Sequence, residues 1–362
     1  MNIRTVTIIG AGLAGAACAR ALAERGFGVT ILESESLPGQ HASGRNAAMI
    51  RQVVESAAVA VLAKRGAALL QDLSRALPGD DLFQATGSLL IGKRGDLAAL
   101  LSSSPDAEAQ WMTWREAKER FPTTPLPDFE AALFTPGDGL LDVGRLLHFL
   151  LAPPVRLVTD APVIGAERLG RRILRVVTPK GSFAADLVID AAGPWADHVA
   201  TLLGADTLGL VAYRRHLYHT GRLAWVDRTW PFVWDVSRGF YFRPESGGLL
   251  LSACDQDRQP PGDCQASPGA DALLAEKLAT QPSPLADLGI ARRWAGLRTF
   301  APDREFVIGW DPKLENLIWA AALGGHGVTT SLALGEEVAR LTTLGRALKH
   351  PVFDPARRSV AD

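Results

Sequence analysis

Cysteine, tyrosine and methionine are scarce, three of each in 362 residues, and net charge is almost absent. Cys18, Cys254 and Cys264 form no CxxC pair and no ligand-like spacing with histidine, so neither a disulfide scaffold nor a metal site is expected. Cys18 falls in an alanine-rich helical pattern and reads as a small core residue. With 38 basic and 39 acidic residues, the net charge of −1 gives no field to attract nucleic acid or an anionic membrane. The densest basic cluster (Arg168, Arg171, Arg172, Arg175) reads as a solvated strand edge. Long apolar runs are also missing. Ala57–Ala63 stops at Lys64 and Arg65, far short of a membrane span. The first strand-like run, Val6–Ile9, follows no cationic, apolar leader, so a cytoplasmic protein is expected.

What is present is core-forming material. Hydrophobic residues make up 47% of the chain, ample for two packed domains. Val6–Ile9, a glycine turn, a helical pattern over Ala14–Arg25 and a second strand at Gly28–Glu33 predict a parallel sheet with crossover helices. Residues 47–77 carry apolar positions at helical spacing (Val53, Val54, Val59, Leu62, Leu69, Leu70, Leu73, Leu77), predicting one long helix or two. Leu82–Thr135 reads as short strands and loops, and Val143–Leu151 as a helix. Strands follow at Leu157–Thr159 and Ile173–Thr178, then Leu187–Ile189, whose unbroken apolar run suits a strand buried on both faces. Residues 208–300 are rich in aromatic and β-branched types, predicting an antiparallel sheet with a surface loop at Gln259–Asp263. A strand at Leu317–Ala321, a glycine turn and a helix at Thr330–Leu341 close the pattern. The expected fold is α/β: a Rossmann-type, glutathione-reductase-like parallel sheet with an interleaved antiparallel-sheet substrate domain. The first domain takes 1–80, 150–205 and 300–345, the second 81–149 and 206–299, with a tail at 346–362.

Gly10-Ala11-Gly12-Leu13-Ala14-Gly15 is a GxGxxG fingerprint in the right context, after a strand and opening a helix. Gly10 permits the tight turn, Gly12 lets backbone approach a pyrophosphate, and Gly15 lets helix and strand pack closely. The helix start then offers unpaired N–H groups to phosphate. Glu33, followed by Ser34, ends the second strand about twenty residues on, where ribose hydroxyls need an acceptor. A second glycine turn, Gly324-Gly325-His326-Gly327, precedes Val328 and Thr329 at the start of the last helix. Such a helix start can stabilise negative charge on a reduced flavin's pyrimidine edge. A loop that merely needs positive φ is the plainer alternative.

These motifs recur, in order and nearly end to end, with His41-Ala42-Ser43-Gly44-Arg45-Asn46-Ala47-Ala48, Gly193-Pro-Trp195, Phe240-Tyr241-Phe-Arg243-Pro and Trp294-Ala-Gly296-Leu-Arg298-Thr-Phe300. The chain thereby resembles the FAD-dependent D-amino acid oxidase-like superfamily, which includes glycine and sarcosine oxidases, and within it bacterial D-arginine dehydrogenase-type enzymes. The resemblance implies non-covalent FAD, since neither Cys254 nor Cys264 lies in a glycine-loop motif. It places Ala42–Ala48 along the pyrophosphate and one flavin edge, Val163 in a strand near the adenine, and Gly193, Trp195 and Gly296 beside the cofactor. Arg298 should clamp the substrate carboxylate with two parallel hydrogen bonds, helped by Arg215 and Tyr241, with the carbonyl near Gly325 accepting from the amine. For Arg298 and Arg215 the alternative is a structural ion pair, and for Tyr241 sheet packing.

The implied reaction is oxidative deamination of a small or apolar D-amino acid by hydride transfer from the α-carbon to flavin N5. It yields an imino acid, then a keto acid and ammonia. Oxygen or a quinone-type acceptor would reoxidise the flavin. A secondary-amine oxidase of the sarcosine, glycine or hydroxyproline kind is the alternative; a nicotinamide dehydrogenase and a non-catalytic flavoprotein subunit are readings of other classes. The D-arginine type differs in its side-chain pocket. Gly87 and Ser88 stand where that type has an acid, Met49 where it has a histidine, aliphatic Val53 and Val54 where it has a tyrosine, and His326 where it has a second tyrosine. Met49, Ile50, Val53 and Val54 instead suggest an apolar or small substrate. Arg51 either faces the pocket, where it could bind a second carboxylate, or is a solvated helix residue, the reading preferred on sequence. His326 is either a polar lid or a loop residue satisfied by backbone.

Overall fold

A computed structural model describes residues 3–79 and 81–357. Its first layer is a six-stranded sheet in the order Val307–Trp310, Leu317–Ala321, Leu187–Asp190, Thr5–Ile9, Gly28–Leu32 and Arg156–Val158. All neighbours are parallel except the first pair. Leu187, Val188 and Ile189 are fully buried, as expected of a strand covered on both faces. One cover is built from the helices Leu13–Ala23, Ala57–Ala76 and Gly327–Leu344. Cys18 sits in this core, as its helical context predicts.

The second layer is a nine-stranded sheet dominated by residues 211–300, with edge strands from residues 88–135. It is mixed rather than purely antiparallel, because Phe232–Asp235 pairs parallel with Ser88–Gly92. Gln259–Asp263 lies at the end of its outermost strand as a largely exposed loop. The basic cluster also lies where expected, on the hairpin of Gly165–Leu169 and Arg172–Thr178, with Arg168, Arg171 and Arg175 exposed.

Several elements depart from the sequence reading. The helix expected over 47–77 begins only at Ala57, where Ser56 caps it by accepting from the Val59 N–H. Before it runs a short strand, Met49–Ile50, then extended chain; Val53 and Val54 are buried in two different cores rather than on a helix face. The region 82–135 holds two unpredicted helices, Arg94–Ser103 and Trp114–Arg120, the second closed by a capping box between Thr113 and Glu116. A third, Ala270–Ala279, interrupts the aromatic-rich segment. The last helix starts at Gly327, three residues earlier than its apolar pattern suggests, because the glycine turn leads directly into it. Val163 lies in the loop between strands, not in a strand. Among the described residues, no helix is long and apolar enough to cross a membrane.

Candidate active site

A cavity of about 720 Å³ runs between the two layers. Of the cofactor-binding and catalytic candidates named above, all but Gly15 and Gly44 line it. Those two act one step back. A Cβ on Gly15 would run into the Gly10 carbonyl and press on Ile8, and one on Gly44 would lie 2.5 Å from the Gly39 oxygen.

At one end the wall is mostly backbone. Gly10 (φ +99°) makes the turn that no side chain tolerates, since a Cβ there would sit 2.6 Å from the Ala191 oxygen. Beyond it, Ser43 Oγ accepts from the Leu13 N–H at 2.9 Å, tying the 41–48 loop to the start of the first helix. The Glu33 carboxylate accepts from the N–H groups of Ala11 (2.7 Å) and Glu35 (3.0 Å), which fixes it at the strand end. The loop is lashed to the second sheet by two arginines. Arg243 Nε donates to the Ala47 carbonyl at 2.5 Å, and Arg45 donates to Asp263 Oδ1 (2.7 Å) and to the Cys264 carbonyl (2.9 Å). The carboxylate, the glycine cradle and the helix starts at Leu13 and Gly327 fit an adenine dinucleotide with a flavin head.

The other end is made of side chains from distant strands. Arg298 (on Arg292–Phe300) and Arg215 (on Val211–His219) lie on adjacent strands, and Tyr241 (on Phe240–Glu245) completes the group. Arg298 Nε and Nη2 are buried without a hydrogen-bond partner. Burial, and then the neighbouring Arg215, bring its pKa down to about 10. No structural ion pair therefore accounts for Arg298. Arg215 is buried and held by a 2.8 Å bond from Nε to the Asp255 carbonyl. Asp255 is fixed in turn by His216, through the backbone N–H (2.9 Å) and Nδ1 (2.7 Å). The Tyr241 ring packs 5.5 Å from that of Trp234, and burial raises its hydroxyl above the ordinary tyrosine value. Gly325 (φ +92°) brings the last glycine turn against this group, where a Cβ would meet Arg298 Cδ at 2.7 Å.

Arg51 overturns its preferred reading as a solvated helix residue. It is 6% exposed, lines the cavity, and stacks over the Trp234 ring at 4.2 Å. Alternation explains this. Met49 and Arg51 face the cavity while Ile50 between them points into the core, the two-residue period of extended chain. The helical reading hid that period. The expected apolar pocket shrinks accordingly: Met49 reaches the cavity, whereas Ile50, Val53 and Val54 do not. Nor do Gly87 and Ser88 reach it; Ser88 Oγ instead bonds a buried Asp138 at 2.6 Å. The sequence reading also missed Glu55 and Trp234. Glu55, at the rim, meets Arg51 Nη2 with both oxygens at 3.0 Å and His326 Nε2 at 3.4 Å. Burial opposes its charge, but Arg51 and His326 outweigh that and hold Glu55 well below the usual carboxylate range. His326 is thus engaged by a side chain, and is more than a loop residue satisfied by backbone.

A dinucleotide cradle opening onto a guanidinium with an unpaired fork matches the FAD dependent oxidoreductase (DAO) family, whose pattern covers residues 5–341. The chain belongs to that family. As a DAO family member it is an FAD-dependent enzyme acting on amines or amino acids. It is 25% identical to monomeric sarcosine oxidase of Bacillus sp. (strain NS-129), over 94% of this chain and 93% of that one. It is 26% identical to glycine oxidase of Geobacillus kaustophilus (strain HTA426), over 93% and 92% of the two chains. In fold it is similar to L-proline dehydrogenase from P. horikoshii, with TM-score 0.89 at 24% identity, covering 98% and 97%.

Proposed function

We propose that this DAO family enzyme oxidises the carbon–nitrogen bond of a small secondary-amine or glycine-like amino acid. The unpaired, buried fork of Arg298 carries this reading, because it needs a carboxylate and has no internal partner. The sarcosine and glycine oxidases among the relatives favour the secondary-amine alternative over the D-amino acid reading. Bound FAD supplies the two-electron acceptor that turns the amine into an imine. Arg298 binds the carboxylate, Arg215 adds a second positive charge, and Tyr241 closes the anion site. This clamp fixes the α-carbon, so that positioning supplies most of the rate. The Gly325 carbonyl accepts from the amine, and the Trp234–Tyr241 wall keeps water from the reacting bond.

In the same reading Gly10, Gly12 and the start of Leu13–Ala23 hold the pyrophosphate, and Glu33 holds the ribose. Ala42–Ala48 flanks the flavin, and Gly324–Thr329 faces its pyrimidine edge. We assign 1–80, 150–205 and 300–345 to the cofactor part and 81–149 and 206–299 to the substrate part; a small three-stranded sheet (Met49–Ile50, Gly139–Leu141, Phe83–Gln84) takes strands from both. The test is the visible spectrum of the purified protein, followed anaerobically as N-methylglycine, glycine, L-proline and D-amino acids are added. Bleaching by N-methylglycine or another secondary amine is expected. Bleaching confined to primary D-amino acids would overturn the secondary-amine assignment, and absence of flavin bands would overturn the whole reading.

A further inference from the structure

Arg215 is held at the anion site by an irregular stretch of the second sheet. Its strand, Val211–His219, pairs with Gly248–Ser252 at Tyr218 and Leu251, and with Asp257–Gln259 at Arg214 and Asp257. Between those points residues 215–217 stand opposite the longer stretch 252–256, so the chain there bulges out of the ladder. Within the bulge Cys254 has a left-handed φ of +54°, uncommon for a residue with a side chain. The His216 backbone therefore meets side chains in place of a strand partner. Its N–H donates to Asp255 Oδ1 at 2.9 Å, and its carbonyl accepts from Ser252 Oγ at 2.8 Å. So held, the bulge turns the Asp255 carbonyl towards Arg215 Nε, 2.8 Å away.

Arg215 and His216 follow one another on a strand, so they point to opposite faces; Arg215 lines the cavity and His216 does not. The His216 ring is fully buried, with both nitrogens engaged. Nε2 accepts from the Ser267 N–H at 2.8 Å, so the ring is neutral and carries its proton on Nδ1, which donates to Asp255 Oδ2 at 2.7 Å. Burial opposes the charge of Asp255, but the His216 bonds outweigh it and hold this carboxyl below the usual carboxylate range. Ser267 belongs to the loop whose Asp263 and Cys264 grip Arg45 of the cofactor loop. We propose that His216 is a positioning residue with a separate task on each ring nitrogen. Through Nδ1 and Asp255 it aims Arg215 at the substrate carboxylate; through Nε2 and Ser267 it anchors the loop that holds Arg45, and with it the cofactor. The first task rests on the placing of Arg215 in the anion site. One buried ring thus ties the substrate end of the cavity to the cofactor end without touching either ligand.

The experiment separates the two nitrogens. An asparagine amide N–H can replace Nδ1 as donor to Asp255 but leaves nothing for Ser267; a glutamine amide oxygen can replace Nε2 as acceptor but gives Asp255 no donor. Two quantities are read on the flavin-loaded enzyme: the Kd of methoxyacetate, an unreactive carboxylate, from the flavin absorbance, and the rate of FAD release on dilution. His216→Gln should weaken methoxyacetate about tenfold and leave FAD release unchanged. His216→Asn should do the reverse, speeding FAD release about fivefold with methoxyacetate bound as before. Equal loss of both functions in the two variants would reduce His216 to packing and overturn the proposal, as would no change in either. Ser267→Pro, in a half-buried loop, removes only the N–H aimed at Nε2 and guards against a histidine variant that fails to fold. It should speed FAD release alone, and an unaltered rate would overturn the second task. Arg215→Met provides the reference. Normal methoxyacetate binding by that variant would sink the anion-site reading of Arg215 itself; weak binding there, with normal binding by His216→Gln, would sink only the role given to His216.

Discussion

The two ends of the cavity are built on opposite plans. The dinucleotide end uses main chain, glycine and one fixed carboxylate, all contributed within short stretches of sequence. The substrate end uses long side chains from strands far apart in sequence, which meet because strand pairing sets them close together in the second sheet. Backbone recognition tolerates exchange of neighbouring side chains but not of glycines. Side-chain recognition is the reverse: the scaffold survives and specificity changes. Flavin content and substrate selectivity should therefore respond to different substitutions.

The sharpest separation is at Arg298. Arg298→Ala should lower kcat/KM for a carboxylate substrate by about a hundredfold or more, chiefly through KM, since it deletes a two-point charged bond. Flavin content should stay unchanged, and steady-state kinetics with flavin absorbance at 450 nm would check both. An unaltered KM would dissolve the contrast. At the other end, Glu33→Ala should weaken FAD retention by about tenfold and leave the substrate KM of the loaded enzyme alone. Equilibrium dialysis of the flavin measures this, and a shifted KM would mean that the ends are coupled. Tyr241→Phe should cost about tenfold in kcat/KM. High pH should weaken carboxylate binding as the Arg298 guanidinium loses its proton near pH 10, below the ordinary arginine range.

The smallest effect lies outside the cavity. Burial raises the Asp138 pKa from 3.8 to about 7, against the bonds from Ser88 and Gln52. The folded state therefore binds this proton more tightly than the unfolded chain, so the contribution of Asp138 to stability is fully present below about pH 4 and is lost as pH rises towards 7. Asp138→Asn should raise Tm by about 2 °C at pH 8 and change nothing near pH 4. Thermal melts at the two pH values decide it.

The same contrast explains what could be read in advance. Gly10, Gly12 and Glu33 act through local backbone, so spacing along the chain displays them, and Leu187–Ile189 shows its double burial as an unbroken apolar run. Arg51 illustrates the opposite case. Val53, Val54 and the true helix from Ala57 lend the preceding residues a false helical period, and only the strand pairing of Met49–Ile50 with Gly139–Leu141 reveals which way Arg51 points. Trp234 and Glu55 gave no local sign at all, because their meaning lies in one guanidinium that both touch. The helices at 94–103 and 114–120 escaped notice for a related reason. Short and largely exposed, they carry little apolar periodicity, and the second depends on a capping box.

The order of strands in the first sheet also bears on how the protein is made. Leu187–Asp190 gains its outer neighbour only from Leu317–Ala321, more than a hundred residues further along the chain. Until then a nascent or truncated chain presents a bare edge whose Leu187, Val188 and Ile189 are apolar, open to pairing with other chains. A ribosome that stalls or terminates before Leu317 would release a product prone to aggregate, so production of this enzyme should depend on uninterrupted translation and on chaperones that shield that edge.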